Sequence, residues 1–127
     1  MDRYLIDNNV ISNYFFNAFS ERATGFLTDI INKVPNLSVI TKIEALSWRS
    51  PNTTKENIMR IFVNSSNIMA LSDSVVEKCV EIRRTRKIKT PDAIIAATAI
   101  VNDFTLLTSD SDFDHIPNLK VINPFNW

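Results

Sequence analysis

Thr90-Pro91-Asp92-Ala93-Ile94-Ile95-Ala96-Ala97-Thr98-Ala99-Ile100-Val101, running on within a few residues to Thr105-Leu106-Leu107-Thr108, is the stretch that decides the fold. Pro91 and Asp92 suit the first turn of a helix, where no N–H is missed and the dipole favours an acid. Ile94, Ile95, Ala96, Ala97, Ala99, Ile100 and Val101 then make that helix apolar all round, so it is buried and does not lie on the surface. An apolar strand follows it. The same alternation recurs through the chain. Arg3 to Ile6, Leu37 to Ile40, Ile68 to Leu71, Leu106-Leu107 and Leu119 to Ile122 read as short strands. Helical spacing fills the gaps: Val10, Ile11, Tyr14 and Phe15; Phe26, Leu27, Ile30 and Ile31 after Ser20; Ile43, Leu46 and Trp48 from Thr41; Ile58, Ile61 and Phe62 after Thr53-Thr54. Ser72 caps a helix bearing Val75, Val76, Cys79, Val80 and Ile82, and Thr90 caps the next. Strands separated by helices imply crossover connections and a mostly parallel sheet with helices on both faces, an α/β fold.

The chain has 127 residues, 45% of them hydrophobic, enough for one domain over residues 1–127 with a core that needs no disulfide or structural metal. One Gly, five Pro and no low-complexity tract leave no candidate linker. Cys79 is the only cysteine, which excludes an internal disulfide and a Cys-rich zinc site and suits a reduced, cytoplasmic setting. The apolar run before Asp7 is too short for a signal peptide, and no stretch approaches the roughly 20 apolar residues that cross a bilayer. Fourteen basic residues balance fourteen acidic ones, so net charge gives no argument for nucleic acid. Arg83, Arg84, Arg86, Lys87 and Lys89, however, crowd into one short run ahead of Asp92. Cations there suit a helix carboxyl end, by about 0.3 to 1 kcal/mol each. Beside an acidic metal pocket the same run forms a phosphate-contacting rim.

Four acidic segments stand where elements begin or end: Ile6-Asp7-Asn8-Asn9, Thr41-Lys42-Ile43-Glu44, Thr90-Pro91-Asp92-Ala93 and Thr108-Ser109-Asp110-Ser111-Asp112-Phe113. Taken singly, each has a plain structural explanation. Asp7 is an extra acid beside the capping residues Asn8 and Asn9. Thr41 and Glu44 fit a capping box. Asp92 complements a helix dipole, and Asp110, Asp112 and Asp114 fit a solvated loop. Taken together, acids at the carboxyl ends of parallel strands converge on one crevice. Like charges there raise one another's pKa, and divalent cations with oxygen ligands hold them together.

The order and spacing of Tyr4-Leu5-Ile6-Asp7-x-Asn9-Val10-Ile11-Ser12, Thr41-x-x-Glu44, Thr90-Pro91-Asp92-Ala93-Ile94-Ile95-Ala96-Ala97-Thr98-Ala99 and Leu106-Leu107-Thr108-Ser109-Asp110-x-Asp112-Phe113 resemble the PIN-domain ribonucleases, above all the VapC-type toxins of bacterial toxin–antitoxin pairs. The resemblance spans nearly the whole chain. It implies a three-layer α/β/α sandwich and a metal-dependent endoribonuclease that leaves 5′-phosphate and 3′-hydroxyl ends. It places Asp7, Glu44, Asp92 and Asp110 at the catalytic acid positions, with Asp7, Asp92, Asp110 and Asp112 around Mg²⁺ or Mn²⁺. Asn9 resembles the family's polar residue that orients Asp7, with Thr108 expected beside it, and the basic run Arg83, Arg84, Arg86, Lys87 and Lys89 next to such a pocket is the candidate RNA-contacting rim. Asn8 departs from the pattern, where Thr or Ser is commoner. By the same resemblance the partners are an RNA substrate, a small antitoxin and a second copy of the chain.

One cation, or two roughly 3.5 to 4 Å apart, serves such hydrolysis, so no histidine base is required and His115 reads as a surface residue. Helical projection sets Arg83 among Val76, Cys79 and Val80, free to meet a phosphate or one of the acids. Tyr14, Phe15, Phe16 and Phe19 suit either core or an apolar interface. A dehalogenase-like phosphatase calls for a second Asp two places after Asp7, where this chain has Asn9. A receiver-like phosphoacceptor calls for paired acids after the first strand, where Asn8 follows Asp7. The remaining alternative is a catalytically silent PIN-like module that binds RNA or protein through the same pocket.

Overall fold

Among the described residues, five strands of three residues each, Tyr4–Ile6 (β1), Asn36–Ser38 (β2), Asn67–Met69 (β3), Thr105–Leu107 (β4) and Lys120–Ile122 (β5), form a parallel sheet in the order β3-β2-β1-β4-β5. The computed structural model describes residues 3–16 and 18–127. Helices Asn8–Phe15 (α1) and Glu21–Asn32 (α2) connect β1 to β2, Val39–Ser47 (α3) and Thr53–Asn64 (α4) connect β2 to β3, and Asp73–Thr85 (α5) and Thr90–Val101 (α6) connect β3 to β4. Among the described residues no helix is long and apolar enough to cross a membrane.

Strand periodicity divides the core into two layers. Leu5 pairs with Leu106 and Ile6 with Leu107 in register, and successive side chains point to opposite faces. Leu5 and Leu106 pack with Val75, Cys79 and Ile82 of α5, the buried face of α6, and Phe104, Phe113 and Ile116. Ile6, Leu37 and Leu107 pack with Val10, Ile11, Leu27, Ala45, Met59, Phe62 and Val63 of the other four helices. Both faces of the sheet are thus covered, which is why Leu5-Ile6 and Leu106-Leu107 in its central strands are consecutive apolar residues, all buried. The fold is a three-layer α/β/α sandwich. Helix α6 is buried along Ala93–Ala99, as its all-round apolar sequence requires. Tyr14, Phe15 and Phe19 pack against the second core layer.

Local boundaries differ from the sequence reading in three informative places. The second strand stops at Ser38, whose hydroxyl accepts from the N–H of Thr41 at 3.0 Å and so starts α3 two residues before Thr41. Thr41 is buried inside the helix, and the Thr41–Glu44 capping box does not form. Helix α6 begins at Thr90 with Lys89 as its cap residue and no side-chain cap bond, so Thr90 is not the cap. Asp7 itself caps α1, and neither Asn8 nor Asn9 does so.

Replacing the fully buried Leu106 by Ala should lower stability by about 2 to 5 kcal/mol in urea unfolding, since a cavity opens between the sheet and α6. Val80→Ala, on the exposed side of α5, should stay within about 0.5 kcal/mol of the parent.

Candidate metal centre

The strand order reverses between β1 and β4, so the residues that follow these two strands share the crevice at the sheet's carboxyl edge. Asp7 follows β1 and Thr108 follows β4, and the ladder continues between them through Asp7 N donating to Leu107 O at 3.0 Å. The Asp7 carboxylate is buried, and both of its oxygens accept hydrogen bonds. Its Oδ1 accepts from Asn8 N at 2.8 Å, while Oδ2 accepts from Thr108 Oγ1 at 2.8 Å and Asn9 Nδ2 at 3.1 Å. Thr108 Oγ1 in turn accepts from Asp110 N at 3.1 Å, and Asn9 Oδ1 accepts from Ser109 N at 3.1 Å. The acids after β4 are therefore fixed to the acid after β1 by two short side chains.

The turn that follows Thr108 presents the remaining acids. Asp110 Oδ1 accepts from Asp112 N at 2.9 Å, which winds residues Ser111–Phe113 into a single 3-10 turn seated on the buried Phe113 ring. One carboxylate oxygen each from Asp92, Asp110 and Asp112 comes within 4.8 Å of the others. Three hard oxygen donors at that spacing suit a hard divalent cation. Both Asp110 and Asp112 belong to this group. Asp7 borders it through Thr108 and Asn9, and Glu44 projects from the middle of α3.

The charges of these acids act on one another. Burial pushes the Asp92 carboxyl above its ordinary value, with Asp110, Asp112 and Asp7 adding to the rise and Lys89 opposing it. Burial also raises Glu44, helped by Asp7 and Asp92. Asp7 is raised by burial and by Asp110, against the opposing hydrogen bonds from Thr108, Asn8 and Asn9. Asp7, Glu44, Asp92, Asp110 and Asp112 thus share one electrostatic neighbourhood.

The basic run divides in space. Arg83, Lys87 and Lys89 line a cleft of about 420 Å³ together with Asp92 and Asp112. Arg84 lies instead on a neighbouring apolar groove of about 510 Å³, with Leu71, Val76, Val80 and Ile94. Arg83 borders both hollows, and its Nε donates to Ile88 O at 3.3 Å. Val76 and Val80 are exposed, because Val75, Cys79 and Ile82 form the buried side of α5. Arg83 is exposed as well, on the rim between groove and cleft. Arg86 reaches neither hollow and donates to the carbonyls of Asp114 and His115, a pairing with backbone that no sequence signal announces. His115 is exposed.

Comparison with known proteins places this architecture. The sequence profile of the family described as PIN domain matches residues 4–119. A toxin–antitoxin complex from Klebsiella pneumoniae contains a chain 29% identical, with a TM-score of 0.74 over 95% of this chain and 97% of that one. FitAcB from Neisseria gonorrhoeae superposes with a TM-score of 0.76 at 24% identity, covering 98% of this chain and 99% of that one. VapBC2 from Rickettsia felis, bound to a DNA fragment from their promoter, gives 0.77 at 22% identity over 94% and 97%. At those identities the last two speak to the fold. No curated protein matches the sequence.

The raised acids set a pH dependence with a definite sign. An acid whose folded pKa exceeds its unfolded value binds more protons when folded, so its contribution to stability is full below the unfolded value and is lost as pH rises through the folded one. For Asp7, Glu44 and Asp92 the unfolded values are 3.8, 4.5 and 3.8. The melting temperature in EDTA should accordingly fall as pH climbs from about 4.5 to 7. Asp92→Asn should melt higher than the parent at pH 7 and show a shallower fall, which scanning calorimetry across that range would record.

Proposed function

This chain belongs to the PIN domain family, and from that premise we propose that it is a divalent-metal-dependent endoribonuclease, the toxin of a toxin–antitoxin pair. The observation that carries the reading is the group Asp92, Asp110 and Asp112, three carboxylate oxygens within 4.8 Å of one another beside a wall of lysines. The Klebsiella pneumoniae neighbour, at 29% identity, was solved as a toxin–antitoxin complex, which supports an antitoxin as the partner here.

In this reading Asp92, Asp110 and Asp112 hold Mg²⁺ or Mn²⁺, with Asp7 and Glu44 completing the acidic edge. A cation bound there supplies charge to a phosphodiester and acidity to water. The chain's own residues do the rest. Thr108 and Asn9 occupy one oxygen of Asp7 and fix its orientation, as groups behind metal ligands do. Lys87, Lys89 and Arg83 stand on the cleft wall where the flanking phosphates of a single strand would pass, offering exposed cations without reading bases. The raised carboxyls of Glu44 and Asp92 mean that the edge holds protons more readily without metal than with it. Metal binding therefore releases protons and strengthens as pH rises towards neutrality.

Incubating the protein with a mixed RNA pool should give cleavage with Mg²⁺ or Mn²⁺ and none in EDTA. Asp92→Asn and Asp112→Asn should each lower the rate by more than about a hundredfold, beyond the effect of residues that merely stand behind a ligand. Cleavage that survives both substitutions would trace to a contaminant and end the proposal. RNA bound by a metal-loaded parent that leaves it intact would instead favour a silent binding module. Lys87→Ala and Lys89→Ala should each weaken RNA binding and reduce the slope of log affinity against log salt by roughly 1.

A further inference from the structure

Arg86 stands apart from the other four bases of its run. It is the first residue beyond α5, with extended backbone at φ −156° and ψ 160°, and its guanidinium turns away from the acidic cleft. Nη2 donates to His115 O at 2.7 Å and Nη1 reaches Asp114 O at 3.5 Å. Neither of the ion pairs among the described residues involves it. A half-buried guanidinium spent on main-chain carbonyls fixes the position of a backbone segment.

That segment is the continuation of the acid turn. Asp114 directly follows the 3-10 turn at Ser111–Phe113 that carries Asp112, and His115 adopts a left-handed backbone at φ 64°, a conformation costly for any residue but glycine. On its other flank the turn is tied to Asp7 by Thr108 and to Asn9 by Ser109 N. Arg86 itself is joined through residues 87–89 to the start of α6, where Asp92 sits. The guanidinium therefore bridges the two segments whose acids face each other, Asp92 on one and Asp110 with Asp112 on the other.

We infer that Arg86 is a positioning residue: by clasping the carbonyls of Asp114 and His115 it holds the Asp110–Asp112 turn against the α5–α6 corner, keeping three mutually repelling carboxylates assembled before a cation arrives. This rests on the metal reading of the acids given above. It also separates Arg86 from the acidic cleft, since its donors face protein carbonyls and the hollow it borders, which includes Lys78 and Glu81, shares no residue with that cleft.

Hydrogen exchange on metal-free protein and Mn²⁺ titration calorimetry test it together, on Arg86→Ala, Arg86→Lys and, as a control losing one charge from the exposed side of α2, Arg22→Ala. Arg86→Ala should speed amide exchange across residues 109–116 while leaving α2 unchanged, and should weaken Mn²⁺ binding roughly tenfold. Arg86→Lys, which keeps the charge but has a single donor nitrogen in place of the two that meet Asp114 and His115, should fall between parent and Ala, and it carries the test should the Ala variant fold poorly. Arg22→Ala should match the parent in both. Turn exchange or Mn²⁺ affinity equal to that of Arg22→Ala would overturn the assignment of Arg86 alone. Absence of Mn²⁺ binding in the parent would overturn the metal reading beneath it, a result the exchange data keep distinct.

Discussion

Asp7 performs two structural tasks with one carboxylate. Oδ1 closes the first turn of α1 on Asn8 N, and Oδ2 gathers the hydroxyl of Thr108 and the amide of Asn9 from two different segments. A buried carboxylate without such partners would shed its charge by taking up a proton. Satisfying it therefore forces the residues after β4 into a defined place, because Thr108 also receives Asp110 N and Asn9 also receives Ser109 N. The parallel pairing of β1 with β4 makes this possible by bringing Asp7 and Thr108 to the same level of the sheet. Remove that pairing and the acids of the two segments have no reason to meet.

Opposed to these bonds is the repulsion among the acids. Two unit charges 4 Å apart repel by about 1 kcal/mol in water and about 4 kcal/mol near a protein surface. Several such pairs at one edge rival the net worth of the hydrogen bonds that assemble them, about 0.5 to 1.5 kcal/mol each. Lys89 offsets part of this at Asp92, but Lys87 and Lys89 are exposed and their influence is screened by salt. The metal-free edge is thus held together by local bonding working against charge. A divalent cation among the same oxygens turns that repulsion into attraction.

Much of this architecture is legible in the sequence because its signals are redundant. The all-round apolar run of α6, the apolar pairs Leu5-Ile6 and Leu106-Leu107 of the central strands and the acids that directly follow β1 and open α6 each point to a covered parallel sheet with a polar edge. Glu44 is harder to read, since Thr41-x-x-Glu44 satisfies the capping-box pattern as written. Only the competing hydroxyl of Ser38, which captures the N–H of Thr41 first, moves the helix start and leaves Glu44 in mid-helix. Helix α5 shows the complementary difficulty. Val75, Val76, Cys79, Val80 and Ile82 span too wide an arc for one interface, and packing against α6 and the sheet buries Val75, Cys79 and Ile82 while Val76 and Val80 face out. That choice moves Arg83 from an apolar face to the rim of a cleft. A hydrogen bond to a main-chain carbonyl, such as that of Arg86, leaves no trace in the identity of its partner.

The basic run shows how backbone geometry can divide a single charge patch into separate functions. Arg83 and Arg84 are consecutive on the last turn of α5, so their side chains leave about 100° apart. One reaches the acidic cleft and the other stays over the apolar groove. At Arg86 the helix ends and the backbone turns extended, which releases the following residues from the helical spacing. Lys87, Ile88 and Lys89 all border the cleft, Ile88 also packing against the core, while Arg86 alone turns to the carbonyls of Asp114 and His115. Five cations close in sequence thus meet three different environments. The charge of the run alone therefore overstates the surface it offers to a polyanion, and the helix end at Thr85 decides which of its members can reach one.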